Sequence, residues 1–285
     1  MPSFIDLHTH TTKSDGSMTP SELVRYAEES GLCAIAITDH DSVDGLCEAH
    51  EAAQGLDIEV IDGIEFSAQY ENELHILGLY IDPYAAMLQG AMHEMKDKRV
   101  ARNEKLIKRL NDMGLSITRD DVLLKKADGN MAEVGRVHIA LALIEKGIVS
   151  SIGEAFEKYL AKDAGAYVER ERFSPKKCIE IIKNSGGYAF LAHPICSQKD
   201  PDKLEALVDE LVSYGLDGIE CYHSKHTYEL SEFYESICKN RSLMICGGSD
   251  FHGANSPGVH IGQANDARYI ELDILDDIKR KIGKY

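Results

Sequence analysis

The residues best equipped for chemistry are histidines and acids at recurring places in the chain. His8 and His10 stand at positions i and i+2, just after the apolar-rich run Phe4-Ile5-Asp6-Leu7. Side chains two apart on extended backbone point to the same side, so both imidazoles can approach one cation. Taken alone, such a pair is equally well read as two polar residues ending a strand. The metal reading gains its weight from Asp15, His40, Glu65, His193, Asp250 and His252, which also fall in or after strand-like apolar runs. Any one of them is more simply a capping acid or a satisfied core histidine. Gathered at one rim, so much polarity is costly to bury unless something binds it, and imidazoles with a few carboxylates suit Zn, Mn or Fe. His75 breaks the pattern, because it sits near the beginning of its strand candidate, Leu74 to Ile81.

The elements that must position these residues alternate along the chain. Thr19, Pro20 and Glu22 form a T-x-x-E helix start, and Gly31 supplies the stop. Ala34 to Thr38 is a continuous apolar run of the kind found in strands buried on both faces, and it delivers Asp39-His40-Asp41. A helix from Val43 to Gln54, a strand near Ile58 to Ile61 and then Gly63-Ile64-Glu65-Phe66 repeat the unit. From Tyr84 to Ala164 the pattern predicts helices only: one running to Met113, one near Arg119 to Lys126, one from Arg136 to Lys146 and one from Ser151 to Ala161. The alternation then resumes. Tyr188 to Ala192 delivers His193, Gly218 to Tyr222 leads to His223 and His226, and Leu243 to Cys246 delivers Asp250 and His252. About seven strands, most separated by helices, predict an α/β fold with a closed or nearly closed parallel barrel, whose working residues sit at the C-terminal strand ends. Residues 1–83 and 165–285 are read as the barrel, and 84–164 as an inserted helical cap.

Composition sets outer limits. At 285 residues and 44% hydrophobic, the chain can bury a sizeable core. No stretch has the length and apolarity of a membrane span, and the N-terminus lacks the order of a signal peptide, so the expected location is cytoplasmic. Seven cysteines with no C-x-x-C pair read as reduced thiols rather than a disulfide frame. A net charge of −17 excludes general nucleic-acid binding, and no stable duplex binding is expected. Locally, Lys96, Lys98, Arg99, Arg102, Lys105, Lys108 and Arg109 make one helix basic, fit either for phosphates or for a solvated face.

These residues also carry a resemblance. Asp6-Leu7-His8-Thr9-His10, Thr38-Asp39-His40-Asp41, Gly63-Ile64-Glu65, His75-Ile76-Leu77-Gly78, Ala192-His193-Pro194 and Gly248-Ser249-Asp250-Phe251-His252 together resemble the signature of the PHP (polymerase and histidinol phosphatase) family. The resemblance runs to about Gly262. It implies a distorted (β/α)7 barrel with an inserted all-α cap, a centre of three divalent ions (Mn, Fe or Zn) and phosphoesterase activity. His8, His10, Glu65 and Asp250 would hold the first metal. Glu65 would bridge to a second, completed by His75 and His193, and Asp15, His40 and His252 would hold a third. Glu65, Asp250 and His193 are read as catalytic. Some members of the family carry His where this chain has Asp15, which implies a third site filled differently here.

Within the family, the helical block and Gly135-Arg136-Val137-His138 most resemble the branch of nucleoside 3′,5′-bisphosphate phosphatases and ribonuclease AM-type RNA trimming enzymes. The usual Arg-Pro-His of that branch is Arg-Val-His here. Arg136 is suited to gripping a phosphate through two N–H donors, with His138 and His223 beside it as substrate-binding residues. The reaction expected is hydrolysis of a nucleotide phosphate ester, or of the 5′ end of short RNA, by a metal-activated hydroxide, with no Ser or Cys nucleophile. Histidinol-phosphate phosphatase is the alternative activity, although its cationic substrate would call for acidic pocket residues. A non-catalytic metal-bound scaffold or sensor is the alternative of another class. A proofreading role beside a polymerase is disfavoured, since no synthetic domain is present.

Overall fold

The computed structural model describes residues 4–125, 131, 134–265 and 268–284. Seven strands hydrogen-bond into one sheet in chain order: β1 (Phe4–Thr9), β2 (Leu32–Ile37), β3 (Glu59–Ala68), β4 (Leu74–Leu79), β5 (Tyr188–Leu191), β6 (Gly218–Tyr222) and β7 (Met244–Gly247). The helices are α1 (Pro20–Glu29), α2 (Leu46–Ala53), α3 (Ala86–Asp112), α4 (Arg119–Leu123), α5 (Arg136–Glu145), α6 (Ile152–Ala155), α7 (Pro175–Asn184), α8 (Pro194–Ser197), α9 (Pro201–Tyr214), α10 (Tyr228–Arg241) and α11 (Leu272–Ile282). None is long and apolar enough to cross a membrane.

The helix signals act as their chemistry requires. Glu22 N donates to Thr19 Oγ1 at 3.2 Å while Thr19 N donates to Glu22 Oε2 at 2.8 Å, and α1 then buries Leu23, Val24 and Ala27. α2 starts at Leu46 rather than Val43, because Asp44 N turns back onto Ser42 Oγ at 3.2 Å and uses the preceding residues as a turn. The strand expected near Ile58 to Ile61 runs on through Gly63-Ile64-Glu65-Phe66 as the single strand β3. The helix expected from Ser151 to Ala161 is α6 followed by a π-helical turn, Phe156–Leu160. The expected end of a helix at Lys126 lies outside the described residues; α4 ends at Leu123.

The expectation of a parallel barrel is corrected at one strand. β1/β2, β2/β3, β5/β6 and β6/β7 are parallel, but β4 runs antiparallel to both β3 and β5. The physical reason is the short connection between Ala68 and Leu74, which can close a hairpin but cannot make the long crossover that parallel strands need. Reversing β4 brings its first residues to the end of the sheet where its neighbours finish. Ser67 of β3 pairs with His75, and Ala192 N, just past β5, donates to His75 O at 3.1 Å. The position that looked wrong for His75 is therefore the right one.

Main-chain bonds also join the end of β1 to the turn after β7. Asp250 N donates to His8 O at 3.0 Å, His10 N donates to Phe251 O at 2.9 Å, and Thr9 and Phe251 form a parallel bridge. Gly248 permits this approach, since a Cβ there would lie 2.2 Å from the Cβ of His8. Asp6 secures it, accepting from Ser249 N at 2.9 Å, Ser249 Oγ at 2.5 Å and Gly262 N at 2.7 Å.

The chain divides into two compact units, Met1–Gln89 with Phe173–Tyr285, and Gly90–Arg172. In the first, Ile5, Leu7, Ala34, Ile61, Leu77, Phe190 and Cys246 belong to a core that α11 closes with Leu275 and Ile278. The second has its own core, built from Leu106, Leu110, Ile139, Leu143, Leu160 and neighbouring residues. All seven cysteines are free thiols, with Cys178, Cys221, Cys238 and Cys246 buried.

Candidate metal centre

Each strand of the sheet unit hands a polar side chain to the same end. β1 supplies His8 and leads to His10, both buried. The turn after it supplies Asp15, held in place because Asp39 accepts from Thr11 N at 2.7 Å, Thr11 Oγ1 at 2.6 Å and Ser14 Oγ at 2.6 Å. β2 leads to His40, β3 carries Glu65, β4 begins with His75, β5 leads to His193, and the turn after β7 presents Asp250 and His252.

Glu65, fully buried, is the hub. Its Oε1 lies 2.9 Å from His75 Nδ1, 3.0 Å from His193 Nε2 and 3.3 Å from His8 Nε2. Its Oε2 lies 2.7 Å from His40 Nδ1 and 3.4 Å from His10 Nε2. Asp250 Oδ1 is 3.5 Å from His8 Nε2 and 3.3 Å from His10 Nε2, and those two nitrogens are 3.1 Å apart. Asp15 stands 3.2 Å from His252 Nε2, 3.7 Å from His40 Nε2 and 3.8 Å from His10 Nδ1. The nine residues expected at the ion sites thus meet in one cluster. Ligand atoms of His8, His10 and Glu65, of His40, Glu65 and His75, and of His10, Asp15, His40 and His252 form groups within 4.8 Å.

The donor set fits divalent ions by tautomer and by spacing. His8 Nδ1 donates to Glu220 Oε1 at 2.9 Å, so the Nε2 lone pair of the neutral ring points into the cluster. His252 Nδ1 donates to Asp250 O at 2.8 Å, which leaves its Nε2 facing the Asp15 carboxylate at 3.2 Å. Asp15 raises the pKa of the ring, so a proton on Nε2 bridges the two until a cation replaces it. Buried His40 Nδ1 and Glu65 Oε2 approach one another, yet their angle is wrong for a hydrogen bond. Atoms bound at about 2.1 Å around a tetrahedral ion lie about 3.4 Å apart, which is the spacing among His8, His10, Glu65 and Asp250.

The titration behaviour follows from the same packing. Burial opposes charge on Glu65, but the histidines His75, His40 and His8 around it hold its carboxyl well below the usual range. Asp250 is also held well down, against its burial, by His8 and by hydrogen bonds from His10 and His223. Burial, with neighbouring His40, pushes His10 down to about 3. The charge Glu65 demands overcomes burial at His40, raised to about 9, and, together with Cys196, at His193, raised to about 10. The carboxylates are thus ionised and His10 neutral, as ion binding requires, while protons on His40 and His193 stand where cations would and must leave as ions bind.

Among the expected substrate residues, His223 joins the cluster. It is buried, its Nε2 lies 3.5 Å from Asp250 Oδ2, and its Nδ1 accepts from Lys225 N at 3.0 Å, so Nε2 carries the proton of the neutral ring. His226 does not present itself in this way: its Nδ1 donates to Cys221 O at 3.0 Å and its ring packs edge-on against Tyr234. Arg136 and His138 belong to the helical unit. Arg136 is the first residue of α5, donates from Nη1 to Leu160 O at 3.0 Å and lies over the rings of Phe156 and Tyr167. His138 Nδ1 accepts from Gly135 N at 3.0 Å.

Sequence reasoning gave no role to Glu220, Asp6, Asp39 or Lys225, and read Arg102 only as one of several basic residues on a helix fit for phosphates or for a solvated face. Glu220 and Asp6 are acids inside short buried strands, a signal that the strand pattern itself offers. Lys225 places its Nζ 3.7 Å from Asp250 Oδ2. In the helical unit Arg102, on α3, is 9% exposed with its Nε unpaired, and burial together with the guanidinium groups of Arg136, Arg170 and Arg99 pushes it down to about 10. Asn103 beside it donates to Val134 O at 2.9 Å, tying α3 to the segment that opens α5.

A largely parallel α/β sheet that gathers histidines and carboxylates at one end is an arrangement suited to holding divalent ions. The pattern of the PHP domain matches residues 6–192, and the chain belongs to that family. It is 34% identical over 248 residues to a 5′-3′ exoribonuclease of Haemophilus influenzae, covering 87% of this chain and 89% of that one. It is 29% identical over 279 residues to a 3′,5′-nucleoside bisphosphate phosphatase of Chromobacterium violaceum, covering 98% and 97%. A solved structure from Bifidobacterium adolescentis, described as a metal-dependent phosphoesterase, superposes with a TM-score of 0.78 at 29% identity over 97% of this chain and 96% of that one.

Proposed function

We propose that the chain is a nucleotide phosphoesterase that removes a phosphate from a nucleoside 3′,5′-bisphosphate or cleaves at the 5′ end of short RNA. The observation that carries the reading is Glu65, a buried carboxylate whose two oxygens are shared among His8, His10, His40, His75 and His193. His8, His10, Glu65 and Asp250 would hold one divalent ion, Glu65 with His75 and His193 a second, and Asp15, His40 and His252 a third, with Mn, Fe or Zn suited to these donors. When bound, such ions supply Lewis-acid stabilisation of charge on the phosphoryl and leaving oxygens and activate water as the nucleophile.

The chain's own groups do the rest. Glu65 and Asp250 stay ionised, His10 stays neutral, and His223 offers a neutral Nε2–H to a phosphoryl oxygen. Lys225 adds positive charge beside Asp250. Arg136, preset by its bond to Leu160 O and its aromatic neighbours, grips a second phosphate with His138. Arg102 deepens this reading, because its burial, added to by the nearby guanidinium groups of Arg136, Arg170 and Arg99, makes its charge costly, a cost that a bound anion would lower. Cationic recognition of this kind favours a substrate with two phosphates over histidinol phosphate. The relatives named above act on substrates of this class, and the sheet is read as closing into a (β/α)7 barrel.

The test is phosphate release by Mn-loaded protein from a nucleoside 3′,5′-bisphosphate, a 5′-phosphorylated short RNA and histidinol phosphate. Preference for either nucleotide substrate, weakened mainly in KM by Arg136→Ala, supports the reading. Turnover confined to histidinol phosphate would overturn the substrate and keep the ions.

A further inference from the structure

Glu220 sits in the middle of β6 with no exposed surface. Its Oε1 accepts from His8 Nδ1–H at 2.9 Å, and its Oε2 accepts from the main-chain N of His193 at 2.7 Å. His193 has φ 27° and ψ 67°, a left-handed conformation that is strained for a residue other than glycine and persists only where its surroundings impose it. One carboxylate therefore orients the ring of a residue from one ion group and the backbone of a residue from another. Glu220 meets His8 at Nδ1, the side of the ring away from the Nε2 that faces Glu65 and Asp250, so in this arrangement it stands behind the ring, although it also lies near His223.

We propose that Glu220 is a positioning residue that couples two ion sites, fixing His8 with its Nε2 lone pair inward and clamping His193 against Glu65. The proposal rests on the metal reading above. It gives the two sites a shared dependence that the third lacks, since the Asp15 turn is held separately by Asp39 through Thr11 and Ser14. A histidine ligand whose outer partner is lost binds its ion about 10–100-fold more weakly.

The experiment is calorimetric titration of metal-free protein with Mn(II), comparing the wild type, Glu220→Gln, Glu220→Asp and Asp39→Asn, with far-UV circular dichroism to establish folding. Gln has nearly the shape of Glu, but if its oxygen accepts from His8 its NH2 group faces the His193 N–H, donor against donor. The expected result is a 10–100-fold loss of Mn(II) affinity at two sites in Glu220→Gln, with partial recovery in Glu220→Asp, which keeps the charge. Asp39→Asn is expected to weaken one site only. Kinetics at saturating Mn(II) should restore much of kcat to Glu220→Gln, which a distorted active site would not allow. If Glu220→Gln does not fold, Glu220→Asp alone should still weaken two sites. A Glu220 variant that folds and gives the wild-type isotherm, or loses affinity at a single site, overturns the coupling while leaving the metal reading intact. Absence of Mn(II) binding by the wild type would overturn both.

Discussion

The sheet unit and the helical unit solve opposite problems. In the sheet unit, residues from position 8 to position 252 are drawn together from every strand, and the polar groups they bury are compensated by one another. In the helical unit a contiguous stretch packs around its own apolar core, and its notable buried charge, Arg102, is surrounded by further guanidinium groups. The first arrangement gathers groups that could hold cations, and the second makes one buried positive charge costly.

The largest effect that would sharpen this contrast is expected from Glu65→Gln. Removing the charge at the hub leaves a neutral amide whose NH2 group cannot share an ion, and phosphate release should fall by about 10³-fold or more, with at least one fewer ion bound, as elemental analysis would show. Retained turnover would break the picture of the sheet unit as a cation trap. Next comes ion removal. Ions at about 1,000 times their Kd stabilise the folded chain by about 4 kcal/mol, so exhaustive chelation should lower the Tm and abolish activity, and added Mn should restore both. A smaller effect belongs to the helical unit: Arg102→Met, which keeps the stem and removes the charge, should raise KM for a bisphosphate about 10-fold with little change in kcat or bound ions. An equal loss for a mononucleotide would deny Arg102 its role at a second phosphate. The smallest concerns only the scaffold. Thr19→Ala removes the α1 cap and should cost about 1 kcal/mol in denaturant unfolding, leaving KM unchanged.

The site was legible in the sequence because ion ligands admit few residue types, and each follows a strand whose apolar run marks it. His8, His10, His40, Glu65, His193, Asp250 and His252 could be read in that way, and the cluster gathers all of them. His75 could not, because its strand is reversed and the cause lies in the length of a loop rather than in any residue's chemistry. Glu220 was visible as a letter but silent as a role, since its partners, His8 and the His193 amide, lie 212 and 27 residues away. In the helical unit, periodicity gave the helices, but the crowding around Arg102 arises from Arg99, Arg136 and Arg170, whose approach depends on tertiary packing.

The most direct test of the account is to follow bound ions and hydrolysis together as metal-free protein is loaded stepwise with Mn(II), using a nucleoside 3′,5′-bisphosphate as substrate. The account predicts that the metal-free protein is inactive, that release of phosphate rises only as the sites around Glu65 fill, and that Glu65→Gln stays inactive throughout. Hydrolysis by metal-free protein, or a fully loaded wild type with no turnover, would contradict it.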